Sequence, residues 1–298
     1  MTSQIDKLKS ATNLPSFAHL LGYKPKTLAY IIYGIPETGK YFSFDIKKKG
    51  GGVRTINSPI PKLKELQRRL TKLLNNCLKE IDVLNGVGEK NKLSHGFVRK
   101  YSICSNASKH TNKKWVFNID LEDFFKNINF GRVRGYFIKN KYFCLNETVA
   151  TIIAQISCHK NELPQGAPTS PVISNLIGSI LDIRIASLAR NYRCTYSRYA
   201  DDITLSTNKK EFPTAIGFPS PPNNHTKWSA GSELEKIIHH SRFKINNKKT
   251  RMLYCRSQQS VTGIVVNEKV NISNIYKICQ IRLRLYSKRE NTFYYEHA

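Results

Sequence analysis

Residues 194–206 read CTYSRYADDITLS, and two adjacent aspartates, Asp201 and Asp202, interrupt a run of good strand formers. Aspartate is depleted from strands, and neighbouring carboxylates repel each other unless a cation lies between them. The pair therefore sits in a solvated turn or holds metal. A third acid, Asp120, ends the strand-like run KWVFNID at 114–120. If that strand pairs beside the hairpin bearing Asp201 and Asp202, three carboxylates meet at one sheet edge. Such a trio calls for divalent cations, and Mg²⁺ suits it: a hard ion held by carboxylate oxygens keeps water and substrate phosphates as its other ligands. Two ions about 4 Å apart activate a hydroxyl and steady a leaving pyrophosphate during in-line displacement. That chemistry is nucleotidyl transfer. Taken singly, each acid has a plainer reading, Asp-Asp as a turn and a strand-end Asp as a cap.

Bulk charge points the same way. Of 298 residues, 48 are Lys or Arg and 21 are Asp or Glu, a net charge of +27. Such a surplus favours a polyanion, because each cation facing a phosphate releases counterions. The basic residues are spread along the chain (Lys47 to Lys49, Arg68 and Arg69, Lys113 and Lys114, Lys248 and Lys249), which suits a long groove better than a basic tail. The cysteines at 77, 104, 144, 158, 194, 255 and 279 are odd in number and contain no CxxC spacing. Neither a disulfide framework nor a zinc site is expected, and a reducing cytosol fits. The first residues, MTSQIDKLKSATNLPS, hold no apolar signal core, and no window approaches 18 uninterrupted apolar residues, so neither secretion nor a membrane span is expected.

The elements that must position the acids follow from periodicity. Residues 1 to 35 read as helices, broken near Gly22 and Pro25. YFSFDIKKKGGGVRTINSP at 41–59 reads as a hairpin turning at Gly50 to Gly52. Leu63, Leu66, Leu70, Leu73 and Leu74 mark an amphipathic helix. Residues 169–191 form a second helix, its core stripe drawn through Ile173, Leu176, Ile177, Ile180, Leu181 and Leu188. The stretch 209–231, with FPSPPNNH, reads as an irregular exposed loop. A helix near 233–241 and strands near 251–256 and 261–266 complete an α+β pattern.

Five stretches, VRTI (53–56), FNIDLEDFF (117–125), LPQGAPTSP (163–171), YADD (199–202) and NNKKT (246–250), resemble reverse transcriptase fingers and palm motifs in order and rough spacing. NASKH (106–110) and VTG (261–263) are similar to two signatures of bacterial retron reverse transcriptases. The resemblance runs from about residue 45 to residue 266. It implies a right-hand polymerase: an N-terminal helical extension over 1–40, fingers over 41–114, and a palm over 115–266 with an insertion at 209–231. Its palm is an antiparallel sheet packed on helices. Fewer residues follow VTG than the family's helical thumb requires, so 267–298 is expected to start a short, incomplete thumb.

Carried over position by position, the resemblance makes Asp120, Asp201 and Asp202 the ligands of two Mg²⁺ ions. It sets Phe125 beneath the incoming sugar, where its ring excludes a 2′-hydroxyl. Asp123 falls near the triphosphate, Gln165 and Gly166 beside the nucleotide and template, and Arg54 on the triphosphate. Lys249 steadies or protonates the leaving pyrophosphate. Asn106 and His110 become candidate RNA or structural contacts, and Val261, Thr262 and Gly263 candidate RNA contacts near the primer end. The implied partners are deoxynucleoside triphosphates, a cognate non-coding RNA and its cDNA, and an effector protein, in the bacterial cytoplasm and off the membrane. The implied reaction primes from a 2′-hydroxyl of that RNA, yields branched RNA-linked DNA, and serves defence against phage. Oligomeric state is left open. One alternative is another defence-associated or intron-type reverse transcriptase, although a maturase needs a longer basic C-terminal region. A second is a non-catalytic nucleic-acid-binding regulator using the N-terminal helix pair, against which the intact acids argue.

Overall fold

The computed structural model describes residues 3–47, 51–86, 92–220 and 227–272. Three short helices open the chain, α1 (Gln4–Ser10), α2 (Leu14–Leu20) and α3 (Pro25–Ala29), followed by a π-helical turn at Tyr30–Gly34. Local chemistry starts them: the Ser3 side chain caps α1, and Asn13 and Ser16 form a reciprocal capping box on α2. Their apolar residues Ile5, Leu8, Phe17 and Leu28 are buried in the same core as the rest of the chain. The Glu80 carboxylate also accepts from the Gln4 and Ile5 backbone N–H groups, tying α1 down.

The fingers ribbon pairs β1 (Tyr41–Lys47) with β2 (Val53–Pro59) in register, and Gly51 and Gly52 take positive φ in its turn. Helix α4 (Pro61–Leu84) follows, opened by proline and buried along its leucine stripe. Next come α5 (Ile103–Ser108), β3 (Trp115–Glu122), α6 (Phe130–Lys139) and α7 (Glu147–Ser157). The central helix α8 (Ser170–Asn191) is long and apolar enough to span a membrane by length and composition, but it is the packed core helix beneath the sheet. Of its expected stripe only Ile180 faces outward, 43% exposed.

The palm sheet adds β4 (Thr195–Tyr199) and β5 (Asp202–Thr207). Residues 209–231 differ from expectation. They fold a small hairpin, β6 (Gly217–Pro219) against β7 (Trp228–Ala230), anchored by buried Phe212, Ile216 and Trp228 beside Trp115 and Phe117; residues 221–226 lie outside the described chain. Then follow α9 (Ser232–His240), β8 (Lys244–Ile245), β9 (Arg251–Tyr254), and a three-stranded sheet of β10 (Ser260–Val261), β11 (Ile264–Val265) and β12 (Asn271–Ile272). Residues 273–298, most of the expected thumb, also lie outside the described chain.

Palm strands run β4–β5–β3–β8, with β9 also pairing β3, all antiparallel. Side chains alternate across a sheet, and directly paired residues share a face. One face carries Ile203, Leu205, Phe117 and Ile119 into the main core. The other carries Asp120, Asn118, Asp202, Thr204, Ser206 and Ser197. The palm is apolar toward α8 and polar on its other side.

Candidate active site

Strand register brings two of the acids together, with the third in the adjoining turn. Asp120 lies directly opposite Asp202 in the β3–β5 pair. Asp201 occupies the two-residue turn between β4 and β5 beside Ala200, whose φ of +55° costs a residue with a Cβ about 1–3 kcal/mol. The Leu121 N–H donates to the Asp201 carbonyl over 3.0 Å, clamping the turn to β3.

Charge around the acids is unevenly compensated. The Asp120 carboxylate accepts from Lys249 Nζ at 2.7 Å and from Asn246 Nδ2 at 3.1 Å. Asn246 also donates its backbone N–H to the Asp120 carbonyl, so the 246–250 turn is docked on the acid. Among the described residues neither Asp201 nor Asp202 receives a comparable side-chain hydrogen bond. Desolvation, then the neighbouring carboxylates, push the Asp202 carboxyl up to about 6; desolvation chiefly raises Asp201 as well, with Lys249 and Arg54 opposing. The bond to Asp120 holds the Lys249 ammonium above its ordinary value. Among the described residues no three His, Cys, Asp or Glu side chains are drawn together as a ready-made metal cluster. The donor set nevertheless fits a hard cation: oxygen ligands only, with the half-buried Asp201 and the exposed Asp202 carrying carboxylate charge that Lys249, Arg54 and Arg251 offset only in part.

The nucleotide-side candidates gather nearby. Gln165 accepts from the Asn57 N–H at 2.7 Å, hooking its loop onto β2. Gly166 sits at φ +120°, and a Cβ there would lie 2.9 Å from the Asn57 carbonyl, so only glycine fits. Phe125 is half-buried, between Phe124 and the exposed ring of Phe97, 6.2 Å away centroid to centroid. Asp123, at φ +45°, is exposed and 3.5 Å from Lys126. Arg54 is exposed on β2, close enough for its charge to be felt at Asp201. On the other side of the acids a cavity of about 340 Å³ is lined by Asn118, Tyr199, Asp202, Arg251, Thr262 and Gly263.

A sequence profile of the reverse transcriptase (RNA-dependent DNA polymerase) family matches residues 46–267. The retron Ec86 reverse transcriptase of Escherichia coli is 35% identical over 278 residues, covering 92% of this chain and 77% of that protein. The chain belongs to the retron reverse transcriptases. The retron Mx162 reverse transcriptase of Myxococcus xanthus is 34% identical over 76% of this chain, which spans 47% of that relative's length. Among solved structures, apo telomerase from Candida tropicalis, truncated from its C-terminal domain, matches with a TM-score of 0.50 at 10% identity, over 80% of this chain and 56% of that one. At that identity the likeness is one of fold, and it agrees with the α+β polymerase architecture.

In this reverse transcriptase the retron signatures do not both face solvent. Asn106 and His110 are buried. His110 bonds Ser206 Oγ and Ser197 Oγ through its two ring nitrogens, each at 2.7 Å, and Ser197 Oγ donates to Asn106 Oδ1 at 2.7 Å. Desolvation drives the His110 imidazole down to about 3, so it stays neutral. Both side chains stitch α5 to the palm strands, and neither is open to an RNA contact in this conformation. Val261 is also buried, within the small apolar cluster of Ala107, Val116, Ile264 and Val266. Thr262 and Gly263, both at positive φ, turn β10 into β11 and reach the cavity beside Asp202.

Sequence reasoning overlooked Asn246, although it sits inside NNKKT, because only a cation was sought there. It also overlooked Phe97 and Arg198; the latter is a charged residue on the core face of a strand, a signal in itself.

Proposed function

We propose that this protein is the RNA-directed DNA polymerase of a retron, copying part of a cognate structured non-coding RNA into branched, RNA-linked single-stranded DNA. The observation that carries the reading is the register placing Asp120 opposite Asp202 with Asp201 in the adjoining turn. Asp120, Asp201 and Asp202 would hold two Mg²⁺ ions, which when bound activate the attacking hydroxyl and stabilise the leaving pyrophosphate. Lys249, 62% exposed and already beside Asp120, supplies positive charge at the pyrophosphate. Arg54 grips the triphosphate through its planar fork. Asp123 places its backbone beside that triphosphate, and Phe125 closes the sugar pocket to a 2′-hydroxyl. Gln165 and Gly166, fastened to β2, present backbone to the nucleotide and template. Thr262 and Gly263 border the priming strand. An effector partner, cytoplasmic location and antiphage defence follow from the family resemblance alone.

The test is direct. Purified protein, the RNA encoded upstream of its gene, Mg²⁺ and deoxynucleoside triphosphates should yield cDNA that keeps an RNA attachment cleavable by a 2′,5′-debranching enzyme. Asp201→Asn with Asp202→Asn should abolish synthesis and leave RNA binding intact. A double variant that still polymerises contradicts the assignment. Unbranched cDNA contradicts only the retron priming.

A further inference from the structure

The core face of the palm sheet carries one charged strand residue among its apolar neighbours, and it lies directly behind the acids. Arg198 is fully buried on β4. Its guanidinium grips Asp182 of α8 with two parallel bonds, Nε to Oδ1 and Nη2 to Oδ2, each 2.7 Å. The third nitrogen, Nη1, is left to donate to the Ala200 carbonyl at 2.8 Å. Ala200 is the strained residue of the turn that displays Asp201. The approach depends on Gly178: a Cβ on that helix residue would sit 2.7 Å from Arg198 Nη2. The Tyr196 hydroxyl donates to the same Asp182 oxygen at 2.6 Å, and Phe124, next to Phe125, lies 5.7 Å from the guanidinium. The backbone of Arg198 is held from the other edge, accepting from the His95 N–H and donating to the Leu93 carbonyl.

We infer that Arg198 is a positioning residue for catalysis: its bond to the Ala200 carbonyl sets the turn that presents Asp201 and Asp202, while Asp182 aims the guanidinium. The inference rests on reading those acids as the catalytic ones. A planar fork is required, because two nitrogens are committed to Asp182 and a third must reach Ala200; an ammonium cannot do both in one plane. A buried ion pair alone would not need this. Such pairs are often replaceable by uncharged residues without loss of stability, so removing the charge can be separated from removing the bond to Ala200.

The experiment uses the full chain and three variants. Arg198→Met strands the Asp182 charge and is expected to lower Tm. Arg198→Met with Asp182→Asn leaves no buried charge and keeps an acceptor for Tyr196, and its Tm should return close to that of the parent. Its kcat should nevertheless fall by about 10- to 100-fold, the scale of a small misplacement of reacting groups, with KM for deoxynucleotide and RNA affinity little changed, and half-maximal rate should need more Mg²⁺. Arg198→Lys should behave like the double variant. A double variant that is stable and fully active would overturn the inference and leave the pair a fold element only. If the parent makes no DNA, the polymerase reading fails separately. Mn²⁺ binding followed by electron paramagnetic resonance then still reports whether the double variant weakens cation affinity at the acids, and unchanged affinity would likewise overturn the inference.

Discussion

Fingers and palm invert the usual placement of polar and apolar groups. On the fingers ribbon Phe42, Phe44 and Ile46 alternate onto one face and are 67%, 52% and 49% exposed. Arg54 and Ile56, their cross-strand partners, share that face, and Ile56 touches the Gly166 position. In the palm, and in the α5 segment packed on it, the reverse holds: Ser197, Ser206, Arg198 and Asp182, with Asn106 and His110, are buried. Buried polar groups are costly unless paired; here the pairing fixes where the strands end and so where the acids stand. The exposed rings of the ribbon carry no such pairing constraint. The difference separates a palm built on buried, paired polar groups from a ribbon that leaves its rings in solvent.

Substitutions on each side should sharpen that contrast. The largest effect belongs to the palm's outer edge. Asp120→Asn should reduce DNA synthesis by about 10³-fold or more with Tm unchanged or higher; retained synthesis would break the contrast at its centre. Second is the hidden network. His110→Ala strips the ring partner from the Ser206 hydroxyl, leaves Ser197 only its bond to Asn106 and opens a cavity, and should lower stability by about 3 kcal/mol in denaturant titration. Third is the fingers face. Phe42→Ala and Phe44→Ala should shift stability by less than about 1 kcal/mol, yet each should weaken binding of a single-stranded RNA template by about 1–3 kcal/mol, the scale of base stacking on a ring. A large loss of stability without a binding defect would make that ribbon structural.

The last effect is in pH. His110 and His95, driven by desolvation down to about 3 and about 4, bind fewer protons folded than unfolded below their ordinary 6.5. Their contribution is present above pH 6.5 and is lost as pH falls toward those values. Asp202 acts oppositely: with its folded value raised to about 6 from 3.8, its contribution is full below the lower value and lost as pH rises through the upper. Metal-free protein should therefore lose stability on acidification from pH 7 to 4, the two histidines outweighing the raised acids Asp202 and Asp201. Asp202→Asn should raise Tm at pH 7 and steepen that loss. A flat Tm profile for both proteins would contradict these burial effects.

Much of the site was legible because it is local. The Tyr199–Asp202 turn, the glycine turn of the fingers and the acid in β3 each follow from alternation and turn chemistry over a few residues. What escaped depends on partners far along the chain. Asn106 and His110 read from the sequence as RNA or structural contacts, and the choice needs Ser197 and Ser206, brought over them by strand pairing. The prolines and asparagines of 209–231 suggest a loose loop, whereas in its described residues Phe212 and Trp228 pack on Trp115 and Phe117 and hold the flanks down. Arg198 is intelligible only once α8 supplies Asp182.

The central claim, that the three aspartates together hold the catalytic cations, is tested most directly by anomalous diffraction from crystals of the protein with RNA template, deoxynucleotide and Mn²⁺. Two peaks about 4 Å apart, within bonding distance of Asp120, Asp201 and Asp202 and with Lys249 displaced from Asp120, are predicted. Peaks absent from that turn, with the Asp120–Lys249 pair intact, would contradict it.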